Sequence, residues 1–156
     1  MLVDTSIKGM LDTNNQVVQV SYFALCQFSE YLQPNLAKFS NRIIRLLIEI
    51  LETKEELHKI SRLTIRFYDA LQSFCENLGE ELEPYLPSLM EKLLNLQHQF
   101  SCSFKFQRLF ISTFSAIATS VRTHFNQYFD PVIRIVRTNL CLSLIHISEP
   151  TRLLRS

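Results

Sequence analysis

Seven apolar positions recur in register three times along this 156-residue chain. Leu25, Phe28, Leu32, Leu36, Phe39, Ile43 and Leu47 align with Leu71, Phe74, Leu78, Leu82, Tyr85, Leu89 and Leu93 at a constant offset of 46 residues. The second set aligns with Phe114, Ile117, Val121, Phe125, Tyr128, Val132 and Val136 at a constant offset of 43. Within each copy the steps are 3 or 4 residues, the spacing that lines one face of an α-helix. A helix pair carrying such a stripe cannot cover it alone. Burying one Leu or Phe returns about 1.5–3 kcal/mol, and ordering each residue's backbone costs about 1–2 kcal/mol. Stacking on neighbouring pairs supplies the difference, so stability is expected at the interfaces between repeats.

Longer stripes place three long helices over 16–32, 57–78 and 106–125, each followed by a shorter one over 40–53, 87–97 and 131–140. Val18, Tyr22 and Leu25 open the first stripe, Ile60, Thr64 and Phe67 the second, and Phe110, Thr113 and Ile117 the third. Pro34, Pro84 and Pro87 follow the long helices, where a missing N–H and a fixed φ end one helix and start the next. Gly79 stands where a left-handed helix end is needed. Asp130-Pro131 reads as an N-cap followed by proline at the first helical position. Val3, Ile7 and Met10 or Leu11 share a face, as if Met1 to Leu11 closed a preceding repeat. Periods of about 40–47 residues with two helices each mark α-solenoids of HEAT or armadillo type. The expected fold is therefore all-α: a HEAT-type solenoid of about three antiparallel helix pairs. Its repeats cover about 14–53, 56–97 and 104–140. The apolar stripes at both ends read as a fragment cut from a longer array.

Composition excludes more than it assigns. Sixteen basic and fifteen acidic residues leave a net charge of +1, which gives no electrostatic case for nucleic acid or a membrane surface. Two glycines in the whole chain make a phosphate-cradling loop untenable, and no P-loop, dinucleotide, zincin or nucleophile-elbow motif occurs. No run is apolar enough to span a membrane, and Met1-Leu2-Val3-Asp4-Thr5 lacks a signal-peptide layout. Cys26, Cys75, Cys102 and Cys141 show no C-x-x-C spacing and read as reduced, mostly packing residues of an intracellular protein. His98 and Cys102 could share a helical face, but no third Cys or His accompanies them, so no metal is expected. No catalytic constellation supports an all-helical enzyme. No cofactor is expected.

The stretch Phe23-Ala24-Leu25-Cys26-Gln27-Phe28-Ser29-Glu30-Tyr31-Leu32-Gln33-Pro34 resembles the importin-β (karyopherin-β) family, whose helix ends follow an A-x-x-x-L-x-x-F-x-E-x-L-x-P type of pattern. Ala70-Leu71-Gln72-Ser73-Phe74-Cys75-Glu76-Asn77-Leu78-Gly79, followed by Glu83-Pro84-Tyr85-Leu86-Pro87, is similar. So is Ser115-Ala116-Ile117-Ala118-Thr119-Ser120, followed by Tyr128-Phe129-Asp130-Pro131. The resemblance covers about residues 1–140 and implies a non-enzymatic nuclear transport receptor. Such proteins carry cargo on a concave face of second helices, dock Phe-Gly nucleoporins between outer helices and release cargo on binding Ran-GTP. They shuttle between cytoplasm and nucleus. The repeat arithmetic fits other HEAT scaffolds equally, such as phosphatase, microtubule or proteasome adapters, and only the order of the motifs favours importin.

Under that resemblance Glu76, Glu80, Glu81 and Glu83 are candidate contacts for basic cargo such as histone or ribosomal-protein tails. The plainer reading is a solvated inter-helix loop. Arg42, Arg45, Arg134 and Arg137 fall on second helices and read as solubilising. Phe100, Phe104 and Phe106 read as core rather than as a nucleoporin pocket.

The segment from Leu142 to Arg152 resembles one reading frame of the transposase adapter used in sequencing-library preparation. Residues 141–156 are therefore expected to be an artefactual tail, and His146 and Glu149 are kept out of any site.

Overall fold

The computed structural model describes residues 2–32 and 35–153, without the side chains of 146–153. The expected break at Pro34 lies outside the described residues. Seven α-helices follow one another among them: α1 (Leu2–Met10), α2 (Asn15–Tyr31), α3 (Ala37–Thr53), α4 (Arg62–Leu78), α5 (Leu86–Gln99), α6 (Phe104–Val121) and α7 (Asn126–Leu153). Short 3-10 turns at Glu55–His58, Gly79–Tyr85 and Arg122–Phe125 join them, and no strand occurs among the described residues. The fold is the expected all-α solenoid of HEAT type. Helices α2, α4 and α6 pack side by side in one layer, while α3 packs on α5 in the other. Each new first helix also touches the second helix before it, α4 on α3 and α6 on α5, so it lies in the groove of the preceding pair.

Rings carry the stack from pair to pair. Tyr22 of α2 meets Phe67 of α4 edge-on at 5.4 Å, and Tyr68 of α4 meets Phe110 of α6 edge-on at 5.8 Å. Tyr22, Tyr68 and Ile111 share one register position, at offsets of 46 and 43. Phe67 and Phe110 share another. Phe67 also packs edge-on with Tyr68 at 5.4 Å, and Phe110 runs on through Phe106 to Phe100. Each such ring pair adds about 0.5–1.5 kcal/mol beyond its buried area.

Polar seams run beside the rings. Between α2 and α4, the Ser29 and Ser73 hydroxyls lie 2.9 Å apart and the Asn77 amide donates to Ser29 at 3.2 Å. Between α4 and α6, the Gln72 amide donates to Thr113 Oγ1 at 3.0 Å and accepts from Ser112 Oγ at 3.0 Å. Thr113 continues the apolar stripe of α6 and is buried, because its hydroxyl also donates to the Leu109 carbonyl at 2.7 Å. Satisfying each hydroxyl removes the penalty for burying it.

Several helix limits depart from those expected. The apolar stripe places the start of the second long helix at Leu57, but the helix begins at Arg62. Ser61 caps it by accepting from the Thr64 N–H at 3.2 Å, and Thr64 Oγ1 turns back to the Lys59 carbonyl. The residues before it form the separate 3-10 turn. This turn explains the unequal offsets: α3 and α4 are joined by 54–61, whereas α5 and α6 are joined by only 100–103. The third long helix stops at Val121, so Phe125 lies in a 3-10 turn. Asp130-Pro131 does not start a helix: α7 begins at Asn126, and Pro131 sits in its second turn at the cost of one main-chain bond. The register-equivalent of Pro84 is Gln127, which has an N–H, so here the chain can become α-helical about a turn earlier than it does before α5. Gly79 does end α4 with φ +61°, as expected.

Candidate protein-binding surface

Three surface regions are built by this stack. The first is the turn between α4 and α5. Leu82 is fully buried and pins the turn, which leaves Glu80, Glu81 and Glu83 around it. Glu83 is engaged: His124 Nε2 of the following turn lies 3.2 Å from its carboxylate. Glu76 is exposed on the last turn of α4 and lines a different groove, of about 510 Å³, with Arg108, Ser112, Ser115 and Thr119 of α6. The structure thus gathers three of the four glutamates on one turn and sets Glu76 along the first-helix layer.

The second region is the outward side of α3, α5 and α7. Arg42, Arg45 and Arg134 are exposed there, and Arg137 is exposed too. Arg42 pairs with Asp4 of α1, and the guanidinium hydrogen bond holds the Asp4 carboxyl below its ordinary value. Lys92 of α5 donates to Glu52 of α3 at 2.8 Å, and that bond raises the lysine's pKa. Both pairs cross from one helix pair to the next. Exposed pairs like these contribute little to stability.

The third region is the outer face of α2 and α4. Val20, Phe23 and Ile65 are exposed, and the Arg66 guanidinium lies 5.6 Å from the Phe23 ring centre. A groove of about 580 Å³ opens at the foot of the same layer, where Gln19, His58, Lys59, Arg62 and Leu63 line it.

The remaining candidates separate in the same way. Phe106 is buried and Phe100 stacks on it at 4.6 Å, but Phe104 stands exposed at the first residue of α6, beside Asn139 and Leu140 of α7. Cys75 is fully buried and Cys26 half-buried, and burial pushes the Cys75 thiol up to about 12. Cys102 and Cys141 are exposed. His98 closes α5 while Cys102 lies in the turn beyond it, so they share no helix face. No cluster of metal-ligating side chains occurs among the described residues, and none of their helices is long and apolar enough to cross a membrane.

The apolar pattern does not reveal Gln107, which is buried at the start of α6. Its amide donates to the Phe100 carbonyl at 2.8 Å, and its Oε1 accepts from Gln97 at 2.9 Å and Asn139 at 3.2 Å. One side chain therefore ties α5, α6 and α7 together. A signal for it exists in the register: Val18, Thr64 and Gln107 are equivalent, as are Ile50, Leu96 and Asn139. An apolar pair in the first repeat has become an amide pair in the third.

The arrangement offers extended helical surfaces. The family profile described as importin subunit beta-1-like, TPR repeats matches residues 4–146. The chain belongs to this family. No curated protein matches the sequence. The match to the importin-β-like family spans all three helix pairs and most of α1, so the ring junctions and polar seams described above lie within it. Family membership supports a transport or scaffold role at the coarse level, through protein partners.

Proposed function

We propose that this chain is part of a nuclear transport receptor, most like importin-4, that binds cargo proteins and carries them through the nuclear pore under Ran-GTP control. The observation that carries this reading is the importin-β-like match over three consecutive in-register helix pairs. Cargo binds by surface complementarity, and small shifts at each junction add along the array to adjust curvature. The exposed Val20, Phe23 and Ile65 on the outer layer suit Phe-Gly nucleoporin repeats, which present isolated phenylalanines. Glu80 and Glu81 on the α4–α5 turn suit basic cargo such as histone or ribosomal-protein tails, with Glu76 and Glu83 flanking. The receptor shuttles between cytoplasm and nucleus. Residues 141–156 are a translated adapter rather than part of the receptor, and the genomic exon read past Leu140 tests this: continuity through Arg152 would refute it.

The deciding experiment is a pull-down of the full-length parent protein with Ran loaded with GTP or GDP. Selective capture of the GTP form supports the transport reading. Equal capture, or none, returns the chain to a HEAT scaffold of another class. Charge reversal at Glu80 and Glu81 should weaken binding of a basic histone-tail peptide; unchanged binding would remove that surface from the proposal.

A further inference from the structure

No further inference is drawn: the strongest candidate, the groove of about 580 Å³ between the starts of α2 and α4 beside the Glu55–His58 turn, is lined by charges of both signs, Lys59 and Arg62 with Glu55 and Glu56, at two helix starts already capped by Asn14 and Ser61, and nothing in the structure shows what covers it.

Discussion

Gly79 and Arg122, 43 residues apart, end successive first helices with the same backbone: φ +61° and ψ −136° for the glycine, φ +50° and ψ −115° for the arginine. Each donates its N–H back into the helix it ends, to Cys75 and Ala118 respectively. The geometry is natural for glycine and strained for a residue with a Cβ, by about 1–3 kcal/mol. Arg122→Gly should therefore stabilise the chain by about 1 kcal/mol, after allowing for the freer unfolded glycine. Gly79→Ala should destabilise it by about 1–2 kcal/mol through the backbone alone, since no atom lies within 4 Å of the new Cβ. Urea titration followed by circular dichroism reads both. A destabilised Arg122→Gly would show that the arginine side chain outweighs the strain.

Phe67 is fully buried and packs against both Tyr22 and Tyr68. Truncation to alanine should cost about 3–5 kcal/mol, from lost burial and an uncollapsed cavity. That is a large share of a typical domain's stability of about 5–15 kcal/mol. The unfolding midpoint in urea should drop accordingly. A loss below about 1 kcal/mol, far short of the usual cost of such a cavity, would mean that the helix pairs do not depend on this junction.

Gln107 and Asn139 should respond oppositely to apolar substitution. Gln107→Leu removes the acceptor of Gln97 and the donor to the Phe100 carbonyl, leaving two half-buried groups unpaired at a total cost of about 1–3 kcal/mol. Asn139→Leu deletes an unsatisfied buried oxygen at a position filled by Ile50 and Leu96 in the other repeats, and Gln107 keeps its bond to Gln97. It should be neutral or stabilising. Thermal melts of the two variants separate these outcomes, and equal destabilisation would refute the account of the hub.

Alkaline pH should loosen the fold. Burial raises the Cys75 thiol from its ordinary 9.0 to about 12 and also raises the Tyr22 and Tyr68 phenols. The unfolded thiol gives up its proton first, so its stabilisation is complete below pH 9.0 and is lost progressively as pH rises toward about 12. Melting temperatures should fall from about pH 9 to about pH 12, and Cys75→Ala should flatten the part of the slope due to the thiol. Identical slopes would refute the assignment to Cys75.

The constant offsets make the pairing of helices legible in sequence, because only burial on one face keeps seven positions in step. Termini are less legible. A stripe continues smoothly from Ile60 to Phe67, so nothing in the apolar pattern announces that Ser61 and Thr64 interrupt the helix through hydroxyl bonds. Asp130-Pro131 carries the chemistry of a start signal, yet the Arg122–Phe125 turn has already set the helix direction. The alignment of Arg122 with Gly79 points to its position, although arginine gives no hint of the backbone it must adopt. For the candidate surface, the acidic turn is visible in sequence but the pairing of Glu83 with His124 is not, because it depends on two turns being stacked. Cys102 and Phe104 are interior residues by type but stand exposed, in the α5–α6 turn and at the first residue of α6.

The rings from Tyr22 to Phe100 form an unbroken column through both junctions. No pair can peel away without laying an aromatic face bare to water. Pulled from its two ends, such a column should hold as one body and then fail in a single rip, rather than yielding pair by pair.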